Sequence, residues 1–218
     1  MKTILYYTSN REDPKFERKI IRKLLENSGG LPIVSVSQKP MNLGKNICVG
    51  DIGHSYLNLY RQQLIGAKKA RTKYLIFAEA DYLYPKEYFE FEPKNENVYL
   101  YDNIWILYKR KYLSFRKKNI SHGAQIVKRK YLIERLENGL KGMPQWYNGN
   151  PVPWLSRRQM KLVTEPPYSL FHGNIACISF KTGDGMNMWT AIERGRNFRK
   201  MSLPGWGSAD NLRKEMLS

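Results

Sequence analysis

The sequence predicts an α/β fold in which a mostly parallel central sheet is flanked by helices. Apolar, β-prone runs alternate with segments of helical periodicity along the first half of the chain, which is typical of this class. The first strand, helix and second strand fit within about forty residues, as in a βαβ unit with a right-handed crossover. Polar residues follow each early strand, which suits parallel strands whose carboxyl ends share one ligand-binding edge.

The first βαβ unit can be placed from local signals. Residues 3–7 predict a β-strand that is apolar and β-prone. Asp13 opens a helix in which apolar residues recur at helical spacing, and Gly29 marks its end. Residues 32–37 predict the second strand. These two strands should be parallel neighbours.

The third predicted strand, residues 74–77, ends in two carboxylates, Glu79 and Asp81. It follows a Gly-rich polar loop over 38–53 and a predicted helix over 55–70. Side chains two residues apart on an extended segment point the same way, so both carboxylates can face one cation. Such oxygen ligands suit Mg²⁺ or Mn²⁺, which also bind substrate phosphates. The alternative is that both carboxylates end the strand in solvent.

The second half of the chain has a less regular pattern. Its long irregular segment, residues 139–165, has the character of a binding loop. The predicted elements are a short helix or turn over 88–91, strands over 98–101 and 104–108 separated by a bulge or tight turn, a helix over 125–136, strands over 168–171 and 174–180, and a short helix near 188–194.

No repeat or linker divides the chain, so one domain over residues 1–218 is predicted. Cys48 and Cys177 are the two cysteines, which indicates neither a disulfide framework nor a cysteine zinc site. The N-terminus lacks the pattern of a signal peptide, and no apolar run is long enough to span a bilayer. We therefore expect a soluble, cytoplasmic protein without an integral membrane segment.

The net charge of +18 predicts a field that attracts polyanions, such as nucleic acid, an anionic membrane surface or a phosphorylated substrate. The alternative is a surface that serves solubility. Recurrence of the clusters through the C-terminal half, among aromatic residues, favours a polyanion-binding face. The clusters are Lys109-Arg110-Lys111 with Arg116-Lys117-Lys118, Lys128-Arg129-Lys130, Arg157-Arg158 with Lys161, and Arg194, Arg196, Arg199 and Lys200.

The segment from Asn58 to Pro85 carries a family resemblance. It reads N-x-x-R-Q-Q-x-x-G-A from Asn58 to Ala67, T-K-Y-L-I-F-A-E-A-D from Thr72 to Asp81, and then Pro85. This resembles nucleotide-sugar glycosyltransferases of the GT-A fold, which place a helix before a strand that ends in a D-x-D type motif. The resemblance covers roughly the first hundred residues, and Glu79 stands at the position of the first Asp.

The resemblance implies a single GT-A-like, Rossmann-like domain. Residues 1–108 would be the nucleotide-sugar-binding half, and residues 109–218 the basic acceptor-binding half. The short chain looks similar to small glycosyltransferases of viral and bacterial genomes, some of which resemble enzymes that add sugars to modified DNA bases. A viral member would work in the cytoplasm of its host cell.

The resemblance also implies the cofactors and their residues. The donor would be a nucleotide sugar, with a UDP-sugar as the first expectation, and Mn²⁺ or Mg²⁺ would bridge its diphosphate. The implied metal ligands are Asp81, Glu79 (directly or through water) and the late His172. The implied donor-binding residues are Thr8, Ser9 and Ser37 at the nucleoside, Arg11 at the base or a phosphate, and Arg61 and Gln62 beside the donor. A scaffold role is an equal alternative for Arg61 and Gln62.

The catalytic base is not fixed by the resemblance. Inverting enzymes of this fold use a carboxylate to deprotonate the acceptor hydroxyl, and the comparable place here holds Ser121-His122-Gly123-Ala124 without an acid. The candidates are His122, Asp102 and Asp184. A retaining mechanism, which needs no such base, stays open.

The prediction is a metal-dependent glycosyltransferase that moves a sugar from a nucleotide donor to an acceptor hydroxyl. A hydroxymethylated base in DNA would suit the basic clusters, and Trp146, Tyr147 and Trp154 could stack on a base flipped out of the duplex. The alternatives are an acceptor on a cell-surface glycan or a lipid, a nucleic-acid-binding protein without catalysis, and a nucleotidyltransferase. The last is less favoured because no Gly-rich phosphate loop follows the first strand.

Overall fold

The computed structural model describes residues 1–110, 112–148, 167–183 and 198–218. Two sheets and the helices around them build this part of the chain. The strands of the main sheet are β1 Lys2–Thr8, β2 Ile33–Ser37, β3 Lys45–Cys48, β4 Tyr74–Glu79, β6 Val98–Tyr101, β9 Gln125–Lys128 and β10 Ser169–Phe171.

The main sheet has the strand order β10-β6-β9-β4-β1-β2-β3 in the described chain. β9 runs antiparallel to its neighbours β4 and β6, and the other pairings are parallel. The carboxyl ends of the six parallel strands therefore lie along one rim, and β9 begins at that same rim. The predicted α/β class with a mostly parallel sheet is confirmed.

A second sheet packs against the first and the last helices. Its strands are β5 Tyr82–Leu83, β7 Ile104–Tyr108, β8 Phe115–Lys118, β11 Cys177–Lys181 and β12 Arg199–Lys200. They lie in the order β12-β8-β7-β11-β5. A short hairpin, β13 Ser202–Leu203 with β14 Gly207–Ser208, precedes the last helix.

The described helices are α1 Pro14–Asn27, α2 Tyr56–Lys69, α3 Lys86–Glu90, α4 Arg129–Gly139 and α5 Ala209–Leu217. α1 begins where the sequence predicts, because the Asp13 carboxylate accepts hydrogen bonds from the backbone N–H groups of Lys15 and Phe16. None of the helices in these ranges has the length and apolar character needed to cross a membrane.

Helices cover both faces of the main sheet. Leu24 of α1 packs on one face with Ile4 and Ile76, whereas α2 and α4 pack on the other face around Leu5 and Leu75. Side chains of β1 and β4 alternate between these two cores, as the period of a strand requires. The other side of α1 packs with α5 and the second sheet.

Three sequence predictions are wrong at the level of elements. Residues 125–128 form strand β9 instead of the first turn of a helix, which begins at Arg129. β9 pairs with β4 on one side and β6 on the other. Its apolar residues are therefore buried within the sheet, although their spacing is also compatible with a helix. The 104–108 strand is no hairpin partner of the 98–101 strand, since β6 and β7 belong to different sheets. The Gly-rich loop also contains a strand, β3. The helix predicted near 188–194 lies outside the described residues.

Candidate active site at the carboxyl rim

The strand register aligns two predicted site residues, Glu79 and Asp102, in one row. Tyr7 lies beside Glu79 in the β1–β4 pairing, and Ile76 of β4 is aligned through Ile126 with Tyr99 of β6. Three residues further on, this alignment places Glu79, Gly123 and Asp102 side by side. Strands are about 4.8 Å apart, so roughly 10 Å separate the backbones of Glu79 and Asp102.

Glu79 is held tightly at the end of β4. Its Oε1 accepts a hydrogen bond of 2.6 Å from the Tyr7 hydroxyl, and its backbone N–H donates to the Tyr84 hydroxyl. Tyr84 in turn donates to the carbonyl of Gly123 at 2.6 Å. A Cβ at Gly123 would lie 2.6 Å from Glu79 Oε2. Only glycine fits there without displacing the carboxylate.

Burial raises the pKa of Glu79 to about 6, and the charge of Asp81 acts in the same direction. The Tyr7 hydroxyl and the ammonium groups of Lys118 and Lys181 oppose this shift. Burial therefore destabilises the ionised form of Glu79, and two ammonium groups from the second sheet partly compensate for it.

Asp81 is paired with a lysine. Its Oδ2 lies 3.8 Å from Lys181 Nζ, and the side chains are 22% and 11% exposed, respectively. Its backbone carbonyl accepts a 2.7 Å hydrogen bond from the N–H of Phe180. The turn that carries Asp81 is thus fixed against the end of β11.

Lys118 approaches the same carboxylates from β8. It donates hydrogen bonds to the Tyr82 hydroxyl at 2.7 Å and to Ser121 Oγ at 3.1 Å, and these two oxygens are 2.7 Å apart. Burial lowers the pKa of Lys118, whereas the charges of Glu79 and Asp81 act to raise it. We call Glu79, Asp81, Lys118 and Lys181 the rim charge cluster.

The rim charge cluster fits a divalent cation in one limited way. No group of three His, Cys, Asp or Glu side chains that could hold a metal occurs in the part of the chain that the structure describes. Mg²⁺ is commonly bound by one or two carboxylates, substrate phosphates and waters. Glu79 and Asp81 supply two carboxylates, and Glu79 is already engaged by Tyr7. Asp81 is therefore the residue that suits a cation arriving with a diphosphate.

The structure joins His172 to Asp102. His172 Nδ1 lies 2.7 Å from Asp102 Oδ1, with the histidine side chain 66% exposed and the aspartate 34% exposed. β6 and β10 are parallel neighbours, and the Asn103 side chain donates to the Gly173 carbonyl at 2.9 Å. The two residues predicted for separate roles thus form one pair on the rim. Metal ligation by His172 stays a prediction.

The other candidate bases differ in position. His122 lies in the turn before β9 and directly precedes Gly123, the residue that approaches Glu79. Asp184 lies outside the described residues, as does Trp154.

The predicted nucleoside-binding hydroxyls are partly used inside the protein. Thr8 Oγ1 accepts from the N–H of Asn10, and the buried Ser37 hydroxyl donates to the Lys39 carbonyl and accepts from Asn46. Asn10, which has a φ of 53°, accepts through Oδ1 from the N–H groups of Gln38 and Lys39. Ser9 lies partly exposed between Thr8 and Asn10.

Arg11, Arg61 and Gln62 lie in different surroundings. The exposed Arg11 guanidinium contacts the ring of His54, and burial followed by the Arg11 charge lowers the pKa of His54. The Gln62 amide donates to the carbonyls of Thr8 and Val36 from a buried position. Arg61 donates to the carbonyls of Leu140, Met143 and Pro144 after α4. Gln62 and Arg61 therefore use these donor groups on the scaffold.

Two further features flank the rim. The buried Asn58 side chain donates a hydrogen bond to the backbone carbonyl of Tyr147 and accepts one from its backbone N–H, at 2.8 Å each. Tyr147 is thereby anchored to α2.

A cavity of about 640 Å³ lies beside α1, and neither Glu79 nor Asp81 lines it. Its lining includes Arg18, Ile21, Arg22, Leu25 and Met41.

Comparison with solved structures identifies the class of fold. No family model matches the sequence, and no curated protein matches it. Solved structures match at 11–13% identity, which shows the fold: that of GT-A-like nucleotide-sugar glycosyltransferases.

Three of these structures carry the comparison. The S. aureus TarS 1-349 structure in complex with UDP-GlcNAc has a TM-score of 0.52 and 11% identity over 87% of this chain, which spans 61% of that one. A glycosyltransferase involved in glycosylation of the major capsid of PBCV-1 has a TM-score of 0.50 and 12% identity over 100% of this chain and 99% of that one. The inositol-1-phosphate CTP transferase from T. maritima has a TM-score of 0.50 and 13% identity over 84% and 90% of the two chains.

The sequence missed the groups that complete the site. Tyr7 and Tyr84 form hydrogen bonds with Glu79, and Lys181 lies 3.8 Å from Asp81. Lys118 donates to the hydroxyl of Tyr82, the residue after Asp81. The parallel-strand argument put the ends of β1 and β4 on the same edge of the sheet, but it did not make these strands neighbours or single out Tyr7. Lys118 stood in a basic cluster that was interpreted as an acceptor surface, and nothing local distinguished it from its neighbours.

Proposed function

We propose that this protein is a glycosyltransferase that moves a sugar from a nucleotide-sugar donor to an acceptor hydroxyl. The observation that carries the proposal is the rim charge cluster at the end of β4, in a fold shared with sugar transferases. The rim of a parallel sheet is where ligands bind in open α/β folds. Two carboxylates with two ammonium groups suit a ligand that is itself an anion paired with a cation.

The chemistry assigns a role to each part of the rim. In the reaction, the bond from the anomeric carbon to a diphosphate oxygen breaks, a bond to the acceptor oxygen forms, and the hydroxyl proton leaves. Negative charge grows on the departing nucleoside diphosphate. A bound Mg²⁺ or Mn²⁺ would neutralise part of it, and Asp81 is the residue that would hold this ion, with Glu79 acting directly or through water.

A UDP-sugar is the donor we propose. The support is the match to TarS, whose structure contains UDP-GlcNAc. Asn10 would border the nucleoside, because it connects the ends of β1 and β2, with Thr8, Ser9 and Ser37 around it. Arg11 is exposed next to them and suits the base or a phosphate.

The Asp102–His172 pair is the acceptor-side base that we propose for an inverting reaction. Asp102 would hold Nδ1 of the ring, and the exposed Nε2 would accept the hydroxyl proton. The pair lies two to three strand spacings from Glu79, roughly 10–15 Å along the sheet, which leaves room for a sugar between them. His122, which directly precedes Gly123, is the alternative base.

The acceptor we propose is a polyanion, with a hydroxymethylated base in DNA as the first candidate. The support is the charge of +18 and the arrangement of the basic second sheet. The ammonium groups of Lys117 and Lys200 lie 5.6 and 5.5 Å from the ring of Trp105. A cell-surface glycan or a lipid-linked acceptor is the alternative. Transfer assays with hydroxymethylated DNA and with lipid-linked sugars separate them.

The test of the function is turnover of UDP-sugars with and without Mn²⁺. We expect slow hydrolysis or transfer by the wild type, and a loss of at least about a hundredfold in Asp81→Asn if the carboxylate holds the ion (about 2.7 kcal/mol of transition-state stabilisation). Asp51→Asn is the matched control, since Asp51 is an exposed carboxylate in the loop before α2. If the wild type binds DNA but neither hydrolyses nor transfers from a nucleotide sugar, the proposed function is contradicted and a nucleic-acid-binding protein without catalysis is favoured.

Nucleotidyl transfer is the second candidate. It is favoured by the match to the CTP transferase, which covers 84% of this chain and 90% of that one. Against it, the segment between β1 and α1, residues 9–13, contains no glycine to cradle a triphosphate. Release of pyrophosphate from CTP or UTP in the presence of a sugar phosphate would favour this candidate over sugar transfer.

A further inference from the structure

We propose that Lys118 and Lys181 are direct ligands of the donor diphosphate, so that diphosphate binding persists when divalent metal is removed. The inference rests on the proposed function and deepens it, because it names the groups that receive the leaving nucleoside diphosphate. Its starting observation is the presence of two ammonium groups at a pair of carboxylates of the kind that usually hold a metal.

The two lysines come from separate strands of the second sheet. Lys118 ends β8, and Lys181 ends β11. Lys181 Nζ is 3.8 Å from Asp81 Oδ2, and Lys118 Nζ donates a 2.7 Å hydrogen bond to the hydroxyl of Tyr82, the residue that follows Asp81. Convergence from two strands upon one carboxylate pair indicates a built site, in contrast to the basic residues scattered over the surface.

Neither lysine is fully occupied by the contacts that hold it. The Lys118 ammonium donates to two hydroxyl oxygens, of Tyr82 and Ser121, and an ammonium group has three donors. The 3.8 Å separation of Lys181 from Asp81 is longer than a charge-assisted hydrogen bond of about 2.7–2.9 Å. Among the residues that the structure describes, each lysine thus has a donor left for a phosphate oxygen.

A buried hydroxyl lies on the strand that carries Lys181. Ser179 is two residues before Lys181 on β11 and faces the same side of the strand. It is fully buried, and its Oγ has no hydrogen-bond partner within the described chain. Because Ser179 is fully buried, a bound water, and not the phosphate itself, is the partner that would satisfy this donor.

Charge balance supports the same assignment. With both carboxylates ionised, the rim charge cluster sums to zero, because two acids face two lysines. A site of zero net charge attracts a bare divalent cation less than a pair of unpaired carboxylates would. It suits a diphosphate and its cation together, since the lysines can turn to the phosphates while the carboxylates keep the ion.

The experiment measures the binding of inorganic pyrophosphate and of UDP by calorimetry, in EDTA and in Mg²⁺. We expect the wild type to bind both ligands in EDTA. Lys118→Met and Lys181→Met should each raise Kd by about tenfold to a hundredfold, the range for a lost charge-assisted hydrogen bond. Lys45→Met removes the same charge from β3 at the far edge of the main sheet and should leave Kd unchanged.

Asp81→Asn separates phosphate binding from simple neutralisation of the carboxylates. If the lysines bind phosphate, removing the negative charge of Asp81 should tighten pyrophosphate binding in EDTA. Lys181→Arg should retain most of the affinity, because the charge is kept. Lys118→Met removes two internal hydrogen bonds, so thermal melting of each variant accompanies the titrations, and Lys181→Met decides the matter if Lys118→Met does not fold.

Several outcomes overturn the inference. It is contradicted if the wild type binds neither ligand in EDTA, or if Lys181→Met binds pyrophosphate as tightly as the wild type. It is also contradicted if Lys45→Met weakens binding as much as the other variants do, because the anion then binds only adventitiously. The proposed function can fail separately. Sugar transfer with binding only in Mg²⁺ would contradict the lysine inference alone, whereas pyrophosphate binding in EDTA without any processing of nucleotide sugars would contradict the transferase.

Discussion

At Glu79, burial and the neighbouring Asp81 both raise the pKa, to about 6, while the Tyr7 hydroxyl holds the carboxylate at 2.6 Å. Between pH 4.5 and 6 the folded chain therefore binds more protons at this residue than an unperturbed glutamate would. Stability falls as the pH rises through this window, by about 2 kcal/mol when it is complete. The fold keeps a residue that costs stability at neutral pH, which is common at functional sites.

Glu79→Gln removes this cost. The amide oxygen can still accept from Tyr7, so we expect the variant to exceed the wild type in free energy of unfolding by up to about 2 kcal/mol at pH 7. The difference should vanish at pH 4, where the wild-type carboxyl is protonated. Urea unfolding at both values measures it, with Glu90→Gln on the exposed face of α3 as the control. Equal stabilities of Glu79→Gln and the wild type at both pH values would contradict the cause assigned here.

Among elements, α2 approaches the main sheet unusually closely at Gly66. A Cβ there would overlap Leu5 Cδ1 and lie 3.1 Å from Val36 Cγ2, and both neighbours are fully buried. This contact fixes α2 above the ends of β1 and β2, where Gln62 ties the helix to the strands. The glycine belongs to the motif that resembles the GT-A enzymes, and the structure gives it a packing reason.

Gly66→Ala should therefore destabilise the protein by about 1–3 kcal/mol through overpacking, although alanine in a helix normally gains about 1 kcal/mol over glycine. Denaturant unfolding measures the loss. Leu5→Val removes the atom in the way, so the double variant should lose less stability than the sum of the single variants. A stabilised Gly66→Ala variant would show that the helix can move away from the sheet.

The elements that were predicted correctly from the sequence are those whose signals are local. The early strands and helices, with Glu79 and Asp81 at a strand end, followed from local periodicity, since each signal lies within one segment. β9 was predicted as the start of a helix because the spacing of its apolar residues is compatible with both a helix and a strand. Its pairing with β4 and β6, which are distant in sequence, determines that it is a strand. Lys118 and Lys181 could not be placed, since they meet Asp81 through pairings between segments roughly forty and a hundred residues apart.

For the whole molecule, the charge of +18 is the property that the site does not explain. Basic clusters recur on the second sheet and beyond it, whereas the rim charge cluster is neutral. The proposed polyanionic acceptor would account for this charge, and the rim charge cluster does not. The GT-A-like fold was anticipated from a motif in the first hundred residues, but shared fold does not fix the acceptor.

A DNA acceptor predicts binding that depends steeply on salt. If six to ten phosphates are contacted, affinity for duplex DNA should fall by about 10³–10⁵ between 50 and 200 mM salt. Fluorescence anisotropy with a labelled duplex measures this, and UDP binding under the same conditions is the control, with a much smaller slope. Transfer to a neutral glycan without any salt-dependent DNA binding would contradict a nucleic-acid acceptor.

The claim that the rim charge cluster holds the diphosphate of a nucleotide sugar is tested most directly by a crystal structure with UDP and Mg²⁺. We expect phosphate oxygens within hydrogen-bonding distance of Lys118 and Lys181, the ion beside Asp81, and the uridine near Asn10. A nucleotide seated in the cavity beside α1, or one that leaves both lysines on Glu79 and Asp81, would contradict it.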